Sequence, residues 1–261
     1  MWTGTHLGVY VLSLNTQKVL AHYNHEKNRL PENLIRSINK DNKGRMWIGT
    51  FGQGLAIYTP DMKEVARFNE ANGFCSNAIN YIFRDLKERM WIGTGEGLVC
   101  FPDPGTLEYK VYERKDGLQN TVIRAITEDE AGNIWLSTNA GISSYQTDKK
   151  LFLNYNYFDK TPMGSFLTAV TKDQKGNIYL GSINGVRYFD PLTVLSNREV
   201  PAVAITEMRI YAEQSVPEDS KSINYFNKHN KLIKLNHKQN TFGINFNVQD
   251  YSLANQVDYA Y

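Results

Sequence analysis

The chain is poor in cysteine and proline and has no run of charge of one sign. Its two cysteines, Cys75 and Cys100, stand in unrelated contexts and form neither a C-x-x-C pair nor a disulfide framework, so the redox compartment stays open. Lys and Arg total 29 against 27 Asp and Glu, a net charge of +2. Phosphate contacts need clustered basic residues, and with none here a nucleic-acid partner is not expected. The longest apolar stretches, such as 202–205, fall far short of the roughly 20 residues of a membrane-crossing helix. Met1 is followed by WTGTHLGVY, which has neither the basic nor the apolar region of a secretion signal. What is present is 41% apolar residues in 261, enough for one sizeable core or two smaller ones.

A repeat organises the sequence. Trp2, Trp47, Trp91, Trp135 and then Tyr179 follow one another at intervals of 45, 44, 44 and 44 residues, and each opens a phrase of one kind: WTGTHLG, WIGTFGQG, WIGTGEG, WLSTNAG and YLGSING. Six residues before the last four anchors stand Asp41, Asp85, Asp129 and Asp173, each beginning a D-x-x-G-like turn. Ile38, Ile82, Ile126 and Val170 precede those aspartates by three, and Ile35, Ile79, Ile123 and Leu167 by six.

A period of 44 also suits helical repeats, but turn signals recur about every 8 to 12 residues and leave no room for a 12-residue helix. The intervening segments are rich in Ile, Val, Thr, Tyr and Trp, which suit a pleated, half-buried surface. In the unit ending at Trp135 the pattern predicts strand A over 122–128, B over 133–138, C over 141–145 and D near 109–113. Four short antiparallel strands at this period make a β-propeller blade, with the tryptophan as a wedge between blades. About four blades fit before residue 190. Met1-Trp2 coincides with the internal Met-Trp pairs, so the chain is expected to begin in mid-blade, to belong to a larger propeller and to expose a sheet edge open to association.

After Asp190-Pro191 the repeat stops. Strict alternation puts Phe242, Ile244, Phe246 and Val248 on one face of a strand. The expected all-β organisation is therefore propeller blades over 1–195 and an Ig-like β-sandwich module over 196–261, incomplete at its end.

The D-x-x-G-x-[MI]-W-[IL]-G-T-x-x-G-[LI] phrase resembles the two-component regulator propeller repeat. The segment 237–261, HKQNTFGINFNVQDYSLANQVDYAY, resembles the first half of the three-tyrosine (Y_Y_Y) module that follows such propellers. The resemblance implies the periplasmic sensor region of a hybrid two-component histidine kinase, which detects a glycan, dimerises through its C-terminal module and meets the membrane through segments outside this chain. Departures from the pattern are Glu88 at a turn glycine, Tyr179 for Trp, and one extra residue in GTFGQG.

The residues that could carry chemistry are few. The Asp turns lack the alternating oxygen ligands and terminal Glu of a calcium loop, and an Asp capping a turn explains them. They also resemble sialidase Asp-boxes, which are themselves structural. His6, His22, His25, His229 and His237 sit in unlike contexts with no zinc spacing, so neither metal nor cofactor is expected. Cys100 takes a strand position held by Ile57 and Ser144 in neighbouring units, which suits a packed thiol. A functional candidate comes from one column, five residues before each aspartate: Arg36, Asn80, Arg124 and Thr168. On the innermost strands this column would line a channel, either binding sugar hydroxyls and acid groups or bridging blades. Phe51 and Gln53, in the enlarged turn, would extend the same face. Two function classes stay open. One is a non-catalytic glycan sensor or, more weakly, a ligand-free interaction scaffold; the other is a propeller glycoside hydrolase or polysaccharide lyase. The absence of paired carboxylates at a break in the repeat favours the sensor.

Overall fold

The computed structural model describes residues 1–28, 30–155, 157–158, 161–162, 165–196, 203–211, 222–223 and 241–248. Two compact units divide the chain, Met1–Ser196 and Asn197–Tyr261.

Five antiparallel meander sheets follow one another in the first unit, with a two-stranded pair, Tyr157–Phe158 and Thr161–Pro162, between the last two. The first has Trp2–Thr5, Gly8–Leu12 and Val19–Tyr23; the second has Ile35–Lys40, Met46–Thr50, Leu55–Tyr58 and Glu64–Phe68. Ile79–Arg84, Met90–Thr94, Leu98–Phe101 and Lys110–Tyr112 build the third, and Ile123–Glu128, Ile134–Thr138, Gly141–Gln146 and Leu151–Tyr155 the fourth. The fifth holds Phe166–Lys172, Ile178–Ser182 and Gly185–Phe189. The leading strands of the second to fifth sheets lie against one another in succession, as the inner strands of propeller blades do. Strands A to C of the fourth sheet match the expected spans to within a residue or two. Its fourth strand does not. Lys110–Tyr112 pairs with Leu98–Phe101 and so belongs to the Trp91 sheet, while Leu151–Tyr155 completes the Trp135 sheet. A strand that follows C through a short connection pairs with that C, so the sequence unit and the blade are offset by one strand.

Packing explains the repeat. Trp47 is fully buried among Leu55 and Ile57 of its own sheet and Ile79, Ile82, Ile92 and Phe101 of the next. Trp91 packs likewise against Ile123, Ile126 and Tyr145, and Trp135 against Phe166, Leu180 and Phe189. One glycine per unit makes room for this. A Cβ on Gly49 would come within 2.4 Å of Ile79 Cγ2, and one on Gly93 within 2.8 Å of Ile123 Cγ2. The fourth sheet alone of these carries a side chain there, Ser137, and the strand that faces it departs from the pattern. Phe166, not Leu167, pairs as Ile35, Ile79 and Ile123 do, and Leu167 is exposed.

The aspartate turns carry the backbone into the second strand of each sheet. Gly44, Gly132 and Gly176 take φ of +80°, +81° and +87°, while Glu88 takes +65° at the same place. A side chain is strained in this left-handed region, whereas glycine is not. Glu88→Gly is therefore expected to raise stability by roughly 0.5 to 1 kcal/mol in urea denaturation, because the exposed Arg84–Glu88 pair it loses contributes little. A loss of stability would place the strain elsewhere.

In the second unit, Val203–Tyr211 pairs antiparallel with Thr241–Val248 and with Ser222–Ile223. The expected strand at 242–248 is thus present. The rest of the 237–261 segment resembling the three-tyrosine module, with His237 and VDYAY, lies outside the described residues, as does His229.

Candidate functional site

The repeated aspartates are structural hubs, buried at Asp41, Asp85 and Asp129 and half-buried at Asp173. Asp41 Oδ1 accepts from the backbone N–H groups of Lys43 and Arg45 at 3.0 and 2.9 Å, and Oδ2 from Arg45 Nε and Trp47 Nε1 at 2.7 and 2.9 Å. Asp129 accepts the same backbone pair, with Asn133 Nδ2 replacing the arginine and Trp135 Nε1 donating at 2.8 Å. Tyr179 keeps the scheme by donating its hydroxyl to Asp173 at 3.2 Å. Every carboxylate oxygen is satisfied by local donors, which leaves these groups no capacity for catalysis or a cation. Burial pushes the Asp41 carboxyl up, but hydrogen bonds from Trp47 and Arg45 outweigh it and hold it below its ordinary value. Its contribution to stability is complete above the ordinary carboxylate pKa and is lost as pH falls through the lowered one.

The candidate column proves to be a set of β-bulges. The register of each inner strand slips at one point, between Ile35 and Ser37, Ile79 and Tyr81, and Ile123 and Ala125, so Arg36, Asn80 and Arg124 are the extra residues. A bulge re-aims a side chain out of the ladder. Thr168 lies in a wider slip between Phe166 and Val170 and is exposed.

Two of the four are joined directly, and a third is held beside them. Arg36 Nη1 donates to Asn80 Oδ1, and Asn80 Nδ2 donates to Ile123 O at 2.9 Å, so one chain of bonds crosses three sheets. Arg124 Nε donates to Asn139 Oδ1 at 2.7 Å. The bridging role is therefore real for Asn80, which is buried, whereas Arg36 is exposed. Phe51 joins this group: its ring lies 4.2 Å from Arg36 Cζ. Gln53 points to an adjoining open cleft of 520 Å³ that it lines with His6, His25, Pro31, Glu32, Asn33 and Leu34. Glu32 Oε2 ties the two places by accepting Gly52 N–H at 2.8 Å.

Sequence reasoning missed Glu32 and Asn139. Glu32 is a single residue in a connection that no period marks, while Asn139 stands in the repeated turn of WLSTNAG, in the place that Phe51 takes in its own unit. Cys100 is buried, with its thiol pushed up to about 12 by burial, and burial likewise raises the Cys75 thiol; neither is an activated nucleophile. Among the described residues no three His, Cys, Asp or Glu side chains gather as a metal site, and no helix is long and apolar enough to cross a membrane.

The two-component regulator propeller family matches residues 29–52 and 117–140, segments that span the second and fourth inner strands with their turns. No curated protein matches the chain. Among solved structures, the chain is similar over 98% of its length, at 51% identity and a TM-score of 0.78, to one described as the extracellular domain of a hybrid two component system of B. thetaiotaomicron. It covers 34% of that structure, about a third of its length. A second such extracellular domain from the same organism aligns with 81% of this chain and 28% of its own at 20% identity and a TM-score of 0.59, a likeness of fold. Fold alone also relates the chain to a catalytically inactive virginiamycin B lyase from Staphylococcus aureus, at 14% identity over 70% of this chain and 62% of the lyase, with a TM-score of 0.52.

Proposed function

We propose that this chain is a non-catalytic, ligand-sensing part of an extracytoplasmic sensor of the hybrid two-component type. The observation that carries the reading is the 51% identity, along nearly the whole chain, with the extracellular domain of such a system. The ligand is a saccharide held on the face of the inner-strand bulges by Arg36, Arg124 and Thr168, with Asn80 bracing Arg36 from beneath and Phe51 and Gln53 beside them. Arg36 and Phe51 support this, because an exposed guanidinium lying over a ring presents donors and an apolar surface side by side. In the intact protein the region lies in the periplasm, pairs with a second copy through its C-terminal module and passes occupancy to a histidine kinase.

A panel of oligosaccharides scored by thermal shift tests the reading, since a ligand of the native state alone raises the midpoint. At least one saccharide is expected to raise it, and Arg36→Ala to abolish the rise without changing the unliganded midpoint by more than a few degrees. The bound sugar should remain intact on long incubation. Release of reducing ends, abolished by one Asp or Glu substitution, would replace the sensor reading with a hydrolase.

A further inference from the structure

The bulge arginines are held by amides rather than by carboxylates. Arg45, Arg67, Arg84 and Arg89 each contact a carboxylate. Arg36 and Arg124 instead donate to the neutral amide oxygens of Asn80 and Asn139, and among the described residues neither forms an ion pair. An amide acceptor fixes the direction of a guanidinium without neutralising it.

The two arginines also sense each other. Burial and then the charge of Arg124 lower the Arg36 pKa, with Glu32 offsetting them in part. Glu32, the carboxylate within reach, spends Oε2 on Gly52 N–H. Two like charges on one face, Arg36 fixed by Asn80 and Arg124 by Asn139, gain most from an anion between them. Arg36 Cζ lies over the Phe51 ring, 4.2 Å from its centroid, and of its N–H groups one Nη1 bond is taken by Asn80, so others remain for an anion.

We propose that the arc of Arg36, Asn80 and Arg124 is an anion subsite that takes the carboxylate or sulfate group of an acidic saccharide. This deepens, and rests on, the reading of the bulge face as the ligand site. The acid group accepts the free N–H groups of both arginines. The uncharged remainder of the sugar extends along Phe51 toward the cleft, where Asn33 and Gln53 offer amides for hydroxyls.

Calorimetric titration with three probes tests the subsite: tetragalacturonate for the carboxylate, a sulfated galactotetraose for the sulfate, and neutral galactotetraose. One acidic probe is expected to bind at least tenfold more tightly than the neutral one, and the stronger of the two identifies the acid. Arg36→Ala and Arg124→Ala should each weaken it roughly tenfold or more, as loss of a charge-assisted bond does. Arg124→Lys should fall between, and raising the salt should weaken the wild type more than either variant. Unfolding midpoints of the variants near the wild-type value exclude a folding defect. If the neutral probe binds as tightly and ignores the arginines, saccharide sensing stands and the anion subsite falls. If an acidic probe binds but both alanine variants retain full affinity, the anion lies elsewhere and the proposal is overturned. Failure of all three probes to bind also overturns it, while the wider thermal-shift panel judges the sensor reading separately.

Discussion

Trp91→Ala should lower the free energy of unfolding by about 3 to 5 kcal/mol, whereas Phe51→Ala should cost less than about 1 kcal/mol. The difference follows from place. Trp91 is fully buried in a cluster that joins its own sheet to Ile123 and Ile126 of the next, while Phe51 is 46% exposed on an enlarged turn. Trp91 also donates its indole N–H to Asp85 at 2.7 Å, so its loss uncovers a carboxylate as well as a cavity. Trp91→Phe separates the two, because it keeps most of the wedge and removes the donor. Equal shifts in the denaturation midpoint for Trp91→Ala and Phe51→Ala would mean that the repeat has been placed wrongly on the blade.

Asp85→Ala should be comparably damaging, about 3 to 5 kcal/mol, although it removes little apolar surface. The side chain accepts the backbone N–H groups of Lys87 and Arg89 at 3.0 and 2.8 Å, Arg89 Nε, and Trp91 Nε1. Truncation leaves the indole N–H buried with no acceptor and frees a guanidinium that lies over the Trp91 ring. Asp85→Asn keeps an oxygen for the two backbone donors but turns an amide N–H₂ toward other donors, so it should recover part of the loss. Chemical denaturation of the three proteins gives the order. Asp85→Ala within about 0.5 kcal/mol of wild type would show that the turn is held by its backbone bonds alone.

These two residues also mark what was legible in the sequence. A period of 44, an aspartate and an aromatic six residues apart, and strand-rich segments between turns were enough for all-β blades, because each unit must bury the same wedge against the next. The bond between that pair was not foreseen. It explains why Tyr179 substitutes for Trp: both carry a donor at the tip of a ring. Assignment of Lys110–Tyr112 to the wrong sheet had a different cause, since a period shows where units recur and not where one blade is cut from the next. The slip from Leu167 to Phe166 arises from a bulge of unusual width, which no residue type announces. For the site, a column of unlike polar residues among like ones was the signal for Arg36, Asn80 and Arg124. Bulges made that signal possible by turning one residue per inner strand out of the ladder. Glu32 lay in a connection without periodicity and had no such signal, whereas Asn139 shared the turn column of Phe51 and was legible as an unlike residue there.

Hydrogen-exchange footprinting with a saccharide that raises the midpoint tests the central claim, ligand sensing at the inner-strand bulges, most directly. Protection is predicted in the amides flanking Arg36, Asn80 and Arg124 and in the turn around Phe51. Protection confined to the outer strands Glu64–Phe68 and Leu151–Tyr155, with the bulges unchanged, would contradict it.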